Sequence, residues 1–231
     1  MPFYYYFDPT MLIVLPALIF ALWAQIRVKS TYSKYNKLNT RNGVTGFDAA
    51  RRILDANGLY NVGIERIAGE LTDHYDPRAN VIRLSAAVYS STSAAAVGVA
   101  AHEAGHAVQH AVGYFPIKLR SSVIKITNFG SMMAMPLFII GLLLASQPLM
   151  YFGIILYSLV AVFQLITLPV EFNASSRAMA ALSTSGRFSN EELRASRKVL
   201  SAAALTYVAA LASSLLSLLR LIVIANGRSR R

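Results

Sequence analysis

The chain has 231 residues, of which 55% are hydrophobic and 14% charged, and it contains no cysteine. It is too apolar and too poor in charge for an ordinary soluble domain, and disulfides and thiolate metal ligands are excluded. The formal net charge of +11 suits the basic flanks of membrane spans and an anionic lipid surface. No signature of interleaved aromatic and basic residues accompanies this charge, so we expect no nucleic-acid partner.

The first 28 residues are predicted to form an N-terminal transmembrane helix. An aromatic cluster, Phe3 to Phe7, precedes Asp8-Pro9, a pair that suits the start of a helix, and no residue from Pro9 to Ile26 is charged. A helix over 9–28 is about 30 Å long, enough to cross a bilayer, with the aromatic residues in the interfacial belt. A cleaved signal peptide is disfavoured because no Lys or Arg precedes the apolar run.

Residues 29–126 are predicted to form a zincin-like α+β part. A polar connector over 30–44 leads into an amphipathic helix that Thr45 to Asp48 would cap. Short runs at 62–67, 71–75 and 81–84 predict a small sheet whose strand order cannot be read from the sequence. A helix over Ala94 to Val112 follows, and it contains Gly98 and Gly105. Each such glycine costs about 1 kcal/mol relative to alanine, which indicates that another element packs closely there.

Residues 127–170 are predicted to form a transmembrane hairpin, because two uncharged runs are joined only at Gln147-Pro148. Pro169 is expected to disturb the second helix. Residues 171–201 then form a separate helix and a cytoplasmic segment. Residues 202–231 form a C-terminal membrane helix with a basic tail, and whether it crosses fully is left open. The chain is thus predicted to be a mainly α integral membrane protein with three to four spans and a small sheet.

The motif His102-Glu103-Ala104-Gly105-His106, an HExxH sequence, lies on the predicted helix over 94–112. Residues i and i+4 share one helix face, so the two imidazoles can bind one Zn²⁺ while Glu103 takes a proton from water. Two histidines leave zinc two ligands short, and a catalytic site fills one position with protein and one with water. A third protein ligand is therefore required.

Glu171 is the best third ligand, because the hairpin returns the chain to the side that holds the motif and Glu171 is the first carboxylate after it. His110 is weaker, since it is rotated by about 80° from His102 and lies two turns away. His74 could be a third ligand or could stabilise the tetrahedral oxyanion, but a polar residue at a strand end is the more common role for that position.

The charge distribution predicts which side of the membrane holds the motif. Basic residues follow the first span, precede the second and follow the third, whereas the hairpin tip has none. By the positive-inside rule these flanks are cytoplasmic and the N-terminus is outside. The basic residues at the C-terminus disagree with this rule if residues 202–226 cross fully. We predict a multi-pass membrane protein with its active site on the cytoplasmic side.

Three blocks of the sequence are distinctive: Leu71 to Pro77, Val97 to His110 and Leu168 to Ser175. In these blocks, and over most of its length, the chain resembles the YugP-like membrane zinc metallopeptidases of bacteria, and this resemblance implies a protein of a bacterial inner membrane. The last block is also similar to the Glu-containing helix of HtpX and the CAAX-type membrane metallopeptidases, which implies Glu171 as the third zinc ligand. Those families have an Asp four residues on, where this chain has Ser175, and Asn173 stands where the YugP-like pattern leads us to expect Asp. A neutral side chain there would anchor a ligand histidine less firmly.

We therefore expect a gluzincin-like membrane metallopeptidase of the endopeptidase type. It would bind one Zn²⁺ per chain through His102, His106 and Glu171. Glu103 is the expected general base, and His74, Asn173 and Arg177 are candidate contacts to the substrate or transition state. The expected partners are a peptide or protein substrate, which can be membrane-associated, and the lipid bilayer, with homo-oligomerisation left open. A peptide would bind along a strand edge within 71–84. The alternative is a non-catalytic membrane scaffold with a structural zinc site, whereas uncharged spans disfavour a transporter.

Overall fold

The computed structural model describes residues 8–70 and 72–228, so the aromatic cluster before Asp8, Leu71 and the final basic residues lie outside the described part. The described chain is mainly helical with one small sheet, which confirms the predicted fold class. The elements in chain order are α1 (Met11–Tyr35), α2 (Gly46–Ala56), β1 (Gly63–Ile67), β2 (His74–Asp76), β3 (Val81–Ser85), α3 (Ala86–Tyr89), α4 (Ala94–Ala111), α5 (Phe115–Leu143), α6 (Gln147–Thr184) and α7 (Asn190–Arg228).

The three-stranded sheet has the order β1-β3-β2, with β3 in the centre. β3 pairs parallel with β1 and antiparallel with β2. The central strand is rich in β-branched and aliphatic residues, and its Val81, Ile82 and Leu84 are buried. Asn80 has a positive φ of 54° in the turn before β3, a conformation that asparagine tolerates better than most residues. β2 has only three residues and, in the described part of the chain, pairs only with β3, so it is a short outer strand.

Helices α2 and α4 pack against the sheet and form one core. Thr45 caps α2 through a reciprocal capping box with Asp48, as the sequence predicts. The Ser93 side chain caps α4 by accepting a hydrogen bond from the Ala96 amide. Aliphatic side chains of both helices and β3 share this core, among them Leu54, Leu84 and Val97. The core fixes the helix that carries the motif.

The described chain divides into two compact units. One contains Gln25–Lys118 and Leu168–Leu205, and therefore holds the sheet, α2 and α4 together with parts of α6 and α7. The other contains the described residues up to Ala24, Leu119–Thr167 and the chain from Thr206 onward. All residues of the predicted metal site belong to the first unit.

Four helices, α1, α5, α6 and α7, are long and apolar enough to cross a membrane. In the second unit, Arg220 Nη2 lies 2.8 Å from Asp8 Oδ2, and the Tyr151 hydroxyl donates to Asn226 Oδ1 at 2.9 Å. These contacts place the start of α1, the beginning of α6 and the end of α7 at the same end of that unit. The C-terminal helix thus reaches the level at which the first helix begins.

Two helices continue further than the sequence predicts. α1 extends to Tyr35, well into the predicted connector, because Tyr32 packs against the core of α2, α4 and the sheet. α6 passes Pro169 without a break. A proline removes one main-chain hydrogen bond, but the residues that follow it, Val170, Glu171 and Ala174, are all buried. Packing on this face stabilises the continuous helix, so Glu171 lies within a helix and not at the start of one.

Candidate metal centre

The motif helix α4 presents two imidazoles on one face. The ring centroids of His102 and His106 are 4.7 Å apart in an edge-to-face arrangement. The opposite face of α4 is filled by small aliphatic residues such as Ala100, Ala101 and Ala104, all fully buried. This division of the helix between an apolar core face and an imidazole face fixes the direction of both rings.

Helix α6 lies directly against α4 at Gly105. A methyl group added at Gly105 would lie only 2.6 Å from the main-chain oxygen of Ala174. The two backbones can approach this closely because residue 105 has no side chain, which is the packing role that the sequence predicts for this glycine. The contact carries Glu171, three residues before Ala174, to the imidazole face.

The side chains of His102, His106 and Glu171 meet at a single point. Glu171 Oε2 lies 3.3 Å from His102 Nε2 and 3.5 Å from His106 Nε2, and the three potential ligand atoms are all within 4.8 Å of one another. A tetrahedral zinc ion with bonds of about 2.0–2.1 Å would separate its ligand atoms by about 3.3–3.4 Å. Two imidazole nitrogens and one carboxylate oxygen at this spacing fit the donor set of a zinc site.

Each imidazole is oriented by a second hydrogen bond at its other nitrogen. His102 Nδ1 lies 3.1 Å from Ser175 Oγ, and His106 Nδ1 lies 3.0 Å from Gln109 Oε1. An Nδ1–H that donates to these oxygens fixes each ring with its Nε2 facing Glu171, where a neutral imidazole could bind a metal through that nitrogen. Ser175 therefore contacts a histidine although it is not the expected Asp.

Gln109 is a residue that the sequence analysis missed. It is fully buried, and its amide nitrogen donates to the Val170 carbonyl at 2.8 Å and to Asn173 Oδ1 at 3.0 Å. One side chain thus joins His106 to α6. Its position three residues after His106 was the available signal, because i and i+3 are neighbours on a helix.

Asn173 and Arg177, two of the candidate substrate contacts, lie outside the cluster of three ligand atoms. Asn173 Oδ1 accepts from Gln109 and also from Arg177 Nε, at 2.8 Å. Arg177 lies 6.0 Å from the Tyr114 ring centroid. Asn173 thus bonds to a side chain of α4 and to Arg177 on its own helix, α6.

Glu103 is held by the outer strand of the sheet. It is 8% exposed, and its Oε2 accepts a hydrogen bond from the Tyr75 amide of β2 at 3.0 Å. The hydrogen bond from the strand therefore fixes the direction of the carboxylate next to His102.

The remaining histidines are not in the cluster. His74 is exposed in β2, and its Nδ1 lies 2.8 Å from the Thr72 carbonyl, so this nitrogen carries the proton and donates. The His110 ring packs 5.5 Å from the Tyr75 ring. Neither imidazole joins His102, His106 and Glu171 in the group that could hold a metal ion.

Carboxylates set the electrostatic character of the site. Burial alone would lower the pKa of His106, but its hydrogen bond to Glu171 and the charges of Glu103 and Glu171 outweigh burial and raise that pKa. The same negative charge favours a bound metal cation. Beside the site, burial raises the pKa of Asp73 although its carboxylate accepts hydrogen bonds from Ser85.

Comparison with known proteins shows the family to which the chain belongs. The chain is 51% identical over 217 residues to a Bacillus subtilis (strain 168) protein named "Putative membrane protease YugP", covering 94% of this chain and 96% of that protein. No solved structure matches the chain. Residues 10–226 match the family described as "Putative neutral zinc metallopeptidase". With nearly its whole length matched, the chain belongs to this family.

Proposed function

We propose that the protein is a membrane-embedded endopeptidase in which His102, His106 and Glu171 bind one Zn²⁺. The spacing of their three ligand atoms carries the proposal. Within residues 8–70 and 72–228 no fourth His or carboxylate joins this group, which leaves one coordination position for water or substrate, as in a catalytic site. A scaffold with structural zinc would need a closed set of four ligands.

Glu103 acts as general base and then as general acid. Zinc, when bound, supplies Lewis-acid chemistry that acidifies water and polarises the scissile carbonyl. Glu103 Oε1 takes the proton of the attacking water and passes it to the departing amide nitrogen. The hydrogen bond from the Tyr75 amide to Oε2 keeps the carboxylate in place during both transfers. Ser175 and Gln109 hold the two imidazoles with Nε2 toward the metal.

A peptide substrate would bind in extended form beside β2. β2 is an outer strand of the sheet, and outer strands can add a peptide through main-chain hydrogen bonds. The bond between the Tyr75 amide and Glu103 supports this placement, because it brings the strand next to the proposed general base. His74, exposed on the same strand with Nε2 directed away from its Thr72 contact, remains a candidate for stabilising the oxyanion.

We propose a membrane topology in which all four candidate helices cross the bilayer. Four crossings put both chain ends on one side of the membrane and the segments between α1 and α5 and between α6 and α7 on the other. Those segments carry most of the Lys and Arg residues near span ends, so we propose that they are cytoplasmic, in a bacterial inner membrane. α4 and its histidines belong to this side.

Replacing Glu103 by Gln tests the mechanism. We expect Glu103→Gln to retain one zinc per chain by elemental analysis and to lose cleavage of a fluorescence-quenched peptide library. Glu191→Gln, at an exposed carboxylate of α7, is the matched control and should keep both. Chelation should abolish wild-type cleavage and added Zn²⁺ should restore it. Wild-type cleavage by Glu103→Gln would refute the role of Glu103, and purified protein that never binds zinc would refute the metal site.

A further inference from the structure

A cavity lies beside α4, between α2, the last turns of α6 and the segment that follows α6. Its volume is about 480 Å³, within the range of roughly 300–1,000 Å³ typical of small-molecule sites. Its walls are mostly aliphatic or aromatic and include Ile53, Val108, Leu182 and Phe188. Such walls suit an apolar chain.

Three arginines line the same cavity: Arg52, Arg177 and Arg187. No ion pair within the described ranges includes any of them. Arg177 uses Nε to bond Asn173, which leaves its two terminal nitrogens available. Asp48 of α2 interacts electrostatically with Arg52 without forming an ion pair. Three guanidinium groups outside any ion pair of the described residues, at the edge of an apolar cavity, complement a ligand with one anionic end and one apolar end.

The cavity is distinct from the candidate metal centre. Val108 follows His106 by two residues, so it points about 200° away from it around α4. Thr184, which also lines the cavity, lies thirteen residues beyond Glu171, or about 20 Å along α6. A ligand here would contact neither the imidazoles nor Glu103.

We propose that this cavity binds a long-chain fatty acid, with its carboxylate on the arginines and its alkyl chain against the apolar walls. Arginine and carboxylate form paired, charge-assisted hydrogen bonds. A volume in the lower half of the usual range suits a single chain better than the two chains of a phospholipid. The site does not depend on the proposed peptidase activity, because none of its residues bind the metal.

A fluorescent fatty acid tests the site directly. The purified protein, in lipid nanodiscs of phosphatidylcholine, is titrated with 11-(dansylamino)undecanoic acid and with its methyl ester. We expect saturable binding of the acid and at least tenfold weaker binding of the ester. The double variant Arg52→Gln/Arg187→Gln should weaken acid binding at least tenfold, and both side chains are exposed, so folding should be unaffected. Arg66→Gln, at an exposed arginine of β1, is the matched control and should bind as wild type.

Ala180→Trp provides a second test, because it fills the cavity from an exposed position. It should abolish binding of both probes while the zinc content stays unchanged. Equal affinity for acid and ester, or unchanged binding in the double arginine variant, would overturn the proposal. Loss of acid binding in nanodiscs that contain phosphatidylglycerol would also overturn it, because the cavity would then hold a phospholipid. Binding is measured without cleavage, so a failed peptidase assay would leave this result intact.

Discussion

Gln109 should control zinc affinity although it is not a zinc ligand. Its carbonyl oxygen faces His106 Nδ1 at 3.0 Å, and its amide nitrogen donates to Val170 and Asn173 on α6. Replacement by methionine keeps a long, flexible side chain of similar size and removes all three hydrogen bonds. We therefore expect Gln109→Met to fold but to leave the His106 ring free to turn away from Glu171.

The size of the effect follows from these contacts. Loss of a hydrogen bond to a metal-binding histidine typically weakens metal binding by about 10–100-fold, which corresponds to about 1.4–2.7 kcal/mol. The buried Val170 carbonyl also loses this donor but keeps its main-chain bond within α6, so the loss costs about 0.5–1.5 kcal/mol of the free energy of unfolding. Asn173 retains its bond from Arg177, so its part of the loss is smaller.

Zinc affinity and stability must be measured separately. The dissociation constant is measured by competition with a chromophoric chelator, and stability is measured by thermal unfolding of the zinc-free protein. Ser196→Ala is the matched control, because it removes a buried hydrogen bond to the Ala94 carbonyl, at the start of the same helix, at 2.8 Å. It should reduce stability and leave zinc affinity unchanged. A zinc affinity of Gln109→Met within twofold of wild type would refute the positioning role.

Further predictions concern other contacts of the site. Gly105→Ala should cost about 1–3 kcal/mol of stability and weaken zinc binding, because the added methyl would meet the Ala174 carbonyl of α6. Gly227→Ala is the control: its added methyl would meet no atom of the described residues within 4 Å, so thermal unfolding should be unchanged. Ser175→Ala should weaken zinc binding about tenfold by chelator competition, and an unchanged affinity would contradict the contact with His102. Arg83 lowers the pKa of Asp76 to about 2. The stabilisation of the folded protein by this ion pair is therefore present above the unfolded pKa near 3.9 and is lost as the pH falls toward 2. The difference in melting temperature between wild type and Arg83→Gln should shrink over that interval, and a constant difference would contradict the pairing.

Some residues of the site are brought together by local spacing or by chain topology, and these could be predicted from the sequence. The helical pair His102 and His106 follows from a period of 3.6 residues, and the nearness of Glu171 follows from a hairpin that returns to its starting side. The small sheet was also predictable from short alternating runs. The ligand roles of these residues stay predictions that zinc analysis will test.

Other features depend on contacts that no local pattern encodes. The order β1-β3-β2 is set by pairing between distant segments, and the hydrogen bond between Tyr75 and Glu103 joins residues 28 positions apart. Pro169 was expected to disturb α6, but burial of the following residues outweighs one lost hydrogen bond. Ser175 was expected to be a weak anchor from its residue type, whereas its contact with His102 depends on how closely α6 approaches Gly105.

The continuity of α6 puts Glu171 directly after an apolar run of the same helix. The uncharged run 149–169 belongs to a helix that is apolar enough to span, and Glu171 follows it by two residues, or about 3 Å along the axis. The contact between Gly105 and Ala174 then places the motif helix within about one turn of the same level. A rigid helix cannot move Glu171 away from the end of its apolar segment, because Val170 and Ala174 are buried on either side of it. If that segment spans a bilayer, as we propose, we expect a substrate anchored in the same bilayer to be cleaved faster than a soluble peptide of the same sequence, because anchoring raises its effective concentration near the site.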